Sequence, residues 1–218
     1  MSAYTHLIWD FNGTILDDVD VCIRTANRLL SAHGLPVLRS AEQYRGVFGF
    51  PIVEYYQRMG FDFERTPYSE LAIEWTEYYG AISNEAGLYP DVMKTLEWAK
   101  RRGLEQIILS ASEKGMLARQ TEALGIRPYF AELLALDNIH AHSKEELGVA
   151  WRARNPDARP LMLGDTEHDA GVAAAMGADC ILLASGHRPK EALERTGCLF
   201  VANSLCEAVD RLQAMKRI

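Results

Sequence analysis

Carboxylate, amide and hydroxyl side chains follow the first apolar run of the chain. Asp10, Asn12, Gly13 and Thr14 come directly after the run Leu7–Trp9. An acidic residue at the carboxyl end of a short buried strand lies where open α/β sheets bind ligands. Gly13 permits a sharp backbone turn, and the following hydroxyl and backbone N–H groups offer donors to an anion. This stretch is therefore the first candidate for a site that handles an anionic substrate.

Three more polar places follow later in the chain. Ser110 ends an apolar run, Lys144 precedes a helical pattern, and Asp165 and Asp169 lie four apart after another apolar run. Each has an ordinary structural explanation. A serine suits a turn at a strand end, a lysine at a helix start is usually exposed, and Thr166 with Asp169 suits a capping box. Their common placement after predicted strands favours one shared site.

Alternating strands and helices are predicted to position these residues. Short apolar runs alternate with helical patterns, which is typical of βαβ units and a parallel sheet. The strands are predicted at Leu7–Asp10, Gln106–Ser110, Leu133–Leu136, Leu161–Gly164 and Ile181–Ala184, with a weaker one at Leu199–Val201. Helices that end at glycines are predicted at Val92–Arg102, Gly115–Leu124 and Asp169–Met176. Asp91 is placed to cap the first of them.

Residues 17–86 interrupt the alternation. Helical patterns at Val19–Ala32, Pro51–Met59 and Tyr68–Ile82 are separated by glycine and proline, and there is no convincing strand. We expect a small all-α module over the sheet, with the aromatic residues Tyr55, Tyr56, Trp75, Tyr78 and Tyr79 forming its core. Arg45 in this segment has two interpretations of similar weight: it clamps a substrate anion, or it packs over an aromatic ring at the surface.

The four places match, in order, the motifs of the haloacid dehalogenase-like hydrolases, which are mostly phosphatases. The chain resembles this family over nearly its whole length, and its phosphoglycolate phosphatase-like members most. The resemblance implies an α/β fold with a Rossmann-like core domain at 1–16 and 87–218. It also implies that residues 17–86 are an α-helical cap, which closes over the site and selects substrates.

The resemblance further implies a role for each motif residue. Asp10 attacks phosphorus, and Lys144 is the cation against the phosphate and the Asp10 carboxylate. The groups that contact the phosphate are Gly13, Thr14, Ser110 and Lys144. A Mg²⁺ ion is held by Asp10, Asp165, Asp169 and the backbone carbonyl of Asn12. Such an ion lies between the anionic nucleophile and the anionic phosphate, which would otherwise repel each other.

Asn12 departs from the family pattern, which has a second Asp there as general acid and base. An amide can hydrogen-bond the leaving oxygen but cannot transfer a proton. Because general acid–base catalysis typically supplies about 10²–10⁴-fold, we expect a slow or atypical phosphatase. A replacement acid would be His168 or Glu167. Since the two side chains are nearly isosteric, Asn12→Asp alone is expected to restore proton transfer.

Other chemistries compete with the phosphatase interpretation. A degenerate, non-hydrolytic protein that binds a phosphorylated ligand is the main alternative, motivated by Asn12 and by Ala111, where many relatives carry Asn. Schiff-base chemistry of the phosphonoacetaldehyde hydrolase kind needs a cap lysine, and residues 17–86 contain none. Dehalogenation needs no Mg²⁺, so it would leave Asp165 and Asp169 poorly explained.

Composition limits the partners. The 218 residues carry a formal charge of −7, which argues against a nucleic-acid binder that works through a basic patch. The four cysteines show no zinc or CxxC spacing, and no apolar run approaches membrane-spanning length. We therefore expect a cytoplasmic monomer or homodimer that acts on a small phosphorylated metabolite and binds neither nucleic acid nor membranes.

Overall fold

The computed structural model describes residues 4–136 and 143–217. Its strands are β1 His6–Trp9, β2 Leu16–Asp17, β3 Gly87–Leu88, β4 Glu105–Glu113, β5 Glu132–Leu136, β6 Pro160–Gly164, β7 Asp179–Leu183 and β8 Phe200–Ala202. Its helices are α1 Val19–Ala32, α2 Ala41–Val47, α3 Ile52–Arg58, α4 Tyr68–Ile82, α5 Val92–Arg101, α6 Lys114–Ala123, α7 Lys144–Arg154, α8 Glu167–Met176, α9 Lys190–Leu193 and α10 Leu205–Ala214.

Six strands form one parallel sheet in the order β5-β4-β1-β6-β7-β8. Alternate side chains of β1 point to opposite faces, so Leu7 and Trp9 join one apolar cluster while Ile8 joins another. Both faces of the sheet are thus covered, as in other parallel sheets, and the predicted α/β class is confirmed. No helix in the described part of the chain is long and apolar enough to cross a membrane.

The central strands bring the predicted site residues together. β1 lies between β4 and β6, with Trp9 paired to Ile108 on one side and to Leu163 on the other. Asp10 and Asp165 follow directly after two neighbouring strands, at the same edge of the sheet. The predicted end of β4 is wrong, because the strand continues to Glu113 instead of ending at Ser110. Its register on β5 shifts between Leu109 and Glu113, so Ser110 lies in an irregular stretch within the strand.

Helices α1 to α4 lie in the segment 17–86, and α1, α3 and α4 are within one residue of their predicted bounds. Tyr55, Tyr56 and Trp75 pack with ring centroids 5.7–6.2 Å apart, so these aromatics do form a core. Tyr78 is half-buried beneath the Arg28 guanidinium, 4.4 Å from its ring centroid. Tyr79 is buried in the same core, and its hydroxyl contacts Asn12 and Asp18. The seven-residue helix α2 was not predicted.

A short antiparallel pair closes the segment. In this antiparallel pair, Leu16 of β2 lies opposite Leu88 of β3, and Asp17 lies opposite Gly87. This pair was not predicted, because two-residue strands carry no periodicity.

The expected cap at Asp91 is wrong. Asp91 has helical dihedral angles, whereas a capping side chain needs an extended backbone, and its carboxylate accepts from the Cys206 N–H at 3.3 Å instead.

Candidate active site

Lys144 links two of the predicted site carboxylates. It is the first residue of α7, whose N-terminus is fixed by a capping box between Ser143 and Glu146. Its buried ammonium donates to Asp10 and, at 2.5 Å, to Asp169 Oδ1. Burial alone would lower the pKa of Lys144, but the two carboxylates raise it. The lysine therefore stays charged and compensates the nucleophile candidate Asp10.

Asp169 has a structural task as well as a place in the site. Its Oδ2 accepts from the N–H groups of Asp165 and Thr166 at 3.2 and 3.0 Å, and from the Thr166 hydroxyl at 2.7 Å. The capping-box interpretation is confirmed, and it coexists with a site role because Oδ1 faces Lys144. Burial would raise the pKa of Asp169, but Lys144 and these hydrogen bonds hold it below its ordinary value.

Asp10, Asp165 and Asp169 form a cluster that suits a hard cation. One oxygen from each lies within 4.8 Å of the others, and all three side chains are buried. Burial raises the pKa of Asp10 to about 6, against the lowering effect of Lys144. Burial also raises the pKa of Asp165 well above its usual range, and Asp10 and Asp169 add to this. A divalent cation with a preference for oxygen, such as Mg²⁺, would relieve this crowding of negative charge.

Gly13 provides the turn that the sequence predicts, with a positive φ of 75°. A Cβ at this position would collide with Asp165 and with His187, so the close approach also requires glycine. However, the Gly13 N–H donates to Leu16 O at 2.9 Å and to Asp18 Oδ1 at 3.0 Å. The backbone donor that was expected to hold phosphate is thus directed elsewhere.

Thr14 and Ser110 differ in what their hydroxyls face. Thr14 lines a cavity of about 200 Å³ together with Tyr89 and Asn203, and its buried hydroxyl has no hydrogen-bond partner among the described residues. Ser110 is also buried, but its Oγ accepts from the Ser112 N–H at 3.1 Å and keeps its own proton to donate. Ser110 therefore fits the expected anion contact, while Thr14 lines the cavity beside Tyr89 and Asn203.

Asn12 is held at both ends of its amide. Its Nδ2 donates to Asp18 Oδ2 at 2.7 Å and to the Tyr79 hydroxyl at 2.9 Å, and its Oδ1 accepts from the Ser112 hydroxyl at 2.9 Å. Because the Asp18 carboxylate only accepts hydrogen bonds, the nitrogen must be the end that faces it. Both amide protons are committed to these two partners.

Asp18 and His187 are the residues that the motif analysis missed. Both are buried, and His187 Nε2 lies 3.2 Å from Asp18 Oδ1, while Nδ1 lies 2.9 Å from the Tyr44 hydroxyl. The backbone N–H of His187 also donates to Asp165 Oδ2 at 2.6 Å. Burial would lower the pKa of His187, but Asp18, Asp165 and Asp10 raise it to about 9. A signal existed: His187 follows a predicted strand, as the other site residues do.

Asp18 and His187 also belong to a second group of potential metal ligands. Asp18, Cys22 and His187 bring one ligand atom each within 4.8 Å of the others. The Asp18 oxygens already accept hydrogen bonds from Asn12, Gly13 and Tyr79. Hydrogen bonds among the side chains therefore explain why these three residues lie close together, without a metal ion.

Glu167 and His168, the two candidate replacement acids, lie at the junction with the helical segment. Arg188 donates to both Glu167 oxygens at 2.6–3.0 Å, and the pKa of Glu167, which burial would raise, is held below its ordinary value by this arginine. His168 stacks on Phe50 with centroids 4.4 Å apart, and burial lowers its pKa. Both residues line a cavity of about 250 Å³ with Arg58 and Arg188. A carboxylate held ionised in this way is a poor proton donor.

Arg45 joins the helical segment to the sheet. Its Nε donates to Gly186 O at 2.8 Å and its Nη2 to Ser185 O at 2.9 Å. In the opposite direction, Arg188 Nη1 donates to the carbonyls of Arg45 (3.1 Å) and Phe48. Neither interpretation of Arg45 given above describes this contact, because the Arg45 guanidinium donates to backbone carbonyls and is not packed over an aromatic ring.

Known proteins share both the sequence pattern and the fold. The phosphoglycolate phosphatase of Vibrio parahaemolyticus is 24% identical over 216 residues, which cover 94% of each chain. A haloacid dehalogenase-like hydrolase of Streptococcus pneumoniae superposes with a TM-score of 0.82 at 19% identity, over 98% of this chain and all of the other. A protein tyrosine kinase of Mycobacterium tuberculosis superposes at 0.81 and 19% identity, over 97% and 99%, so the fold alone does not fix the reaction. The pattern described as haloacid dehalogenase-like hydrolase matches residues 7–183, and the chain belongs to that family.

Proposed function

We propose that the protein is a Mg²⁺-dependent phosphatase that hydrolyses a small phosphorylated metabolite through an aspartyl-phosphate on Asp10. The observation that carries the proposal is the contact of Lys144 with Asp10 and Asp169, beside Asp165, at the carboxyl ends of adjacent strands. Phosphoryl transfer requires mainly positioning and compensation of negative charge. Buried carboxylates around one buried lysine supply a nucleophile, a fixed cation and oxygen ligands.

The residues divide the chemistry among them. A carboxylate oxygen of Asp10 attacks phosphorus, the leaving alkoxide departs, and water later hydrolyses the acyl phosphate to regenerate the carboxylate. Lys144 and Ser110 hold phosphate oxygens. Bound Mg²⁺ would shield the charge between nucleophile and phosphate, with Asp10, Asp165 and the Asn12 carbonyl as direct ligands. Both oxygens of Asp169 are already engaged, so we assign it to orienting Lys144 and to the charge of the metal site.

The segment 17–86 is proposed to act as the cap that selects the substrate. Its α2 and α4 supply Tyr44 and Tyr79, whose hydroxyls contact His187 and Asn12. The cavity lined by Arg58, His168 and Arg188 lies where this segment meets the sheet domain. Because the similar Vibrio protein is named a phosphoglycolate phosphatase, 2-phosphoglycolate is the first substrate to test.

One assay tests the proposal. Phosphate release from p-nitrophenyl phosphate and from 2-phosphoglycolate is measured with Mg²⁺ or with EDTA. We expect release only with Mg²⁺, and at least a hundredfold loss in Asp10→Asn with an unchanged unfolding midpoint. Asp20→Asn, which removes an exposed acid from α1, is the matched control. Activity of Asp10→Asn within tenfold of the parent would reject the nucleophile.

A second candidate is a phosphate-binding protein without turnover. The observation that favours it is the engagement of both Asn12 amide protons, which leaves none to hydrogen-bond a leaving oxygen. Glu167 is held ionised by Arg188, so it is a poor acid for the leaving group. The same assay separates the candidates. Saturable binding of 2-phosphoglycolate without phosphate release, in the presence of Mg²⁺, would establish the binding protein.

A further inference from the structure

Asp18 is surrounded by hydrogen-bond donors. It is fully buried, and its Oδ1 faces Gly13 N at 3.0 Å and His187 Nε2 at 3.2 Å. Its Oδ2 accepts from Asn12 Nδ2 at 2.7 Å and from the Tyr79 hydroxyl at 3.0 Å. A buried carboxylate is stable only when its lone pairs are satisfied in this way. Each neighbour of Asp18 must therefore present a donor.

Position 12 is subject to this requirement. An amide meets it, since the nitrogen faces Asp18 and the oxygen faces the Ser112 hydroxyl. An ionised carboxylate at position 12 has no proton to offer, so it would place a second negative charge about 2.7 Å from the buried Asp18 carboxylate. The departure from the family pattern at Asn12 is thus coupled to Asp18, six positions further along the chain.

We propose that Asp18 is a positioning residue that fixes the orientation of the Asn12 amide, and that positions 12 and 18 form one exchangeable acid–amide pair. The pair holds one negative charge, at 18, and one amide, at 12. The kinetic consequence rests on the proposed phosphatase function, whereas the structural coupling does not. Asn12→Asp alone therefore introduces repulsion and does not restore proton transfer, contrary to the expectation from the sequence. Proton transfer returns only when position 18 becomes an amide as well.

The test is a double-mutant cycle of Asn12→Asp, Asp18→Asn and the double variant, followed by thermal unfolding in EDTA. Asn12→Asp is expected to lower the unfolding midpoint by about 5 °C or more, since leaving a buried charge uncompensated is costly. Asp18→Asn brings two amides together and leaves His187 without its anion, so its midpoint also falls. In the double variant the Asn at 18 donates to the Asp at 12, and the midpoint should rise above that of Asn12→Asp.

Asp17 provides the matched control. It is an exposed carboxylate next to Asp18, so Asn12→Asp/Asp17→Asn has the same net charge as the exchanged pair. This control should not rescue the midpoint. If Asn12→Asp does not fold, a folded exchange variant supports the pair, and an equally unfolded one overturns it. Unfolding effects that simply add, or equal rescue by the Asp17 control, would also overturn the proposal.

Kinetics distinguish positioning from a merely structural role. With Mg²⁺, the exchange variant should hydrolyse 2-phosphoglycolate with a kcat about tenfold or more above that of Asn12→Asp, at similar KM. The carboxyl at position 12, no longer facing a second carboxylate, can take a proton from solvent, give it to the leaving oxygen, and as carboxylate then accept a proton from the hydrolytic water. A recovered midpoint with no recovery of kcat would reject the positioning role. If the wild-type protein releases no phosphate from either substrate, the phosphatase proposal fails, and the unfolding cycle still decides the pairing of 12 and 18.

Discussion

Lys144 shows how a single buried charge organises the site. It is enclosed by Asp10 and Asp169, and the sequence alone offered only an exposed lysine at a helix start as its ordinary explanation. Taking an ammonium out of water is costly unless its partners return that free energy. Two carboxylates in contact with one lysine meet this condition, and they leave the site with excess negative charge for a metal ion.

Replacing Lys144 should affect turnover far more than replacing an equivalent surface lysine. Lys144→Met is expected to lower phosphate release by at least a hundredfold and to lower the unfolding midpoint, because two buried carboxylates lose their cation. Lys114→Met is the control, since Lys114 is also the first residue of a helix but is exposed. Phosphate-release rates and melting curves for both variants make the comparison. Equal rates would remove Lys144 from the site.

His187 should make stability depend on pH above neutrality. Its folded pKa of about 9 lies above the ordinary value of 6.5, so its contribution is complete below pH 6.5 and is lost as pH rises through 9. The shift corresponds to about 3 kcal/mol, or about 6–12 °C in midpoint. Melting curves in EDTA between pH 6 and 10 should show this decline. In His187→Gln the curve should be flatter, and an identical slope in both proteins would contradict the assignment.

At the scale of elements, the sequence predicted the strands and helices that have a clear hydrophobic periodicity and are bounded by glycine or proline. All six strands of the parallel sheet appeared where they were predicted, five of them within about two residues of their predicted bounds, while β4 extends three residues further; the helices α1, α4, α5 and α8 also lie within about two residues of their predicted bounds. Asp10, Lys144, Asp165 and Asp169 converge as their shared placement after strands implied. The Asp18–His187 pair was missed, because its members are 169 residues apart and share no local pattern. The direction of the Gly13 and Thr14 donors depends on packing that a motif does not describe.

The N-terminus of α8 should couple helix capping to the chemistry. Thr166→Ala removes a donor to Asp169 and should cost about 1 kcal/mol, or about 2–4 °C in midpoint. Because Asp169 also holds Lys144, we expect a further loss of about tenfold or more in kcat. Ser204 caps α10 in a comparable way, because its Oγ accepts from the Glu207 N–H. Ser204→Ala removes this cap. That control should lose similar stability and keep its activity. If both variants keep full activity, the cap has no role in the site.

At the scale of the whole molecule, the helical segment is fastened to the sheet domain by side chain to main chain contacts in both directions. Arg45 reaches from the segment to the carbonyls of Ser185 and Gly186, and Arg188 reaches back to those of Arg45 and Phe48. These contacts depend on backbone positions, so the segment's sequence can vary while they persist. They also place Arg188 in the lining of the cavity of about 250 Å³ that Glu167 and His168 share.

Removing the Arg188 contacts should destabilise the helical segment locally without destabilising the sheet. Arg188→Met is expected to speed amide hydrogen exchange in residues 44–58 while leaving β1, β4 and β6 protected, because local opening follows the loss of local contacts. Arg211→Met, which removes a half-exposed arginine from α10, serves as the control. Exchange mass spectrometry of the three proteins measures the effect. Uniform acceleration across the chain would show that Arg188 stabilises the whole fold instead.

The small pair of β2 and β3 has a consequence for how this chain could change over time. Because Leu16 lies opposite Leu88 and Asp17 opposite Gly87, the points where the helical segment leaves and returns are adjacent. Adjacent antiparallel strands can be joined by a turn of two residues or by a large insertion with little effect on the strands themselves. We therefore expect the sheet domain to tolerate exchange of the intervening segment as a unit, provided that the new segment supplies hydrogen-bond partners for Asn12 in place of Asp18 and Tyr79. Recombination at this junction could give the same catalytic centre a new substrate range without rebuilding the sheet.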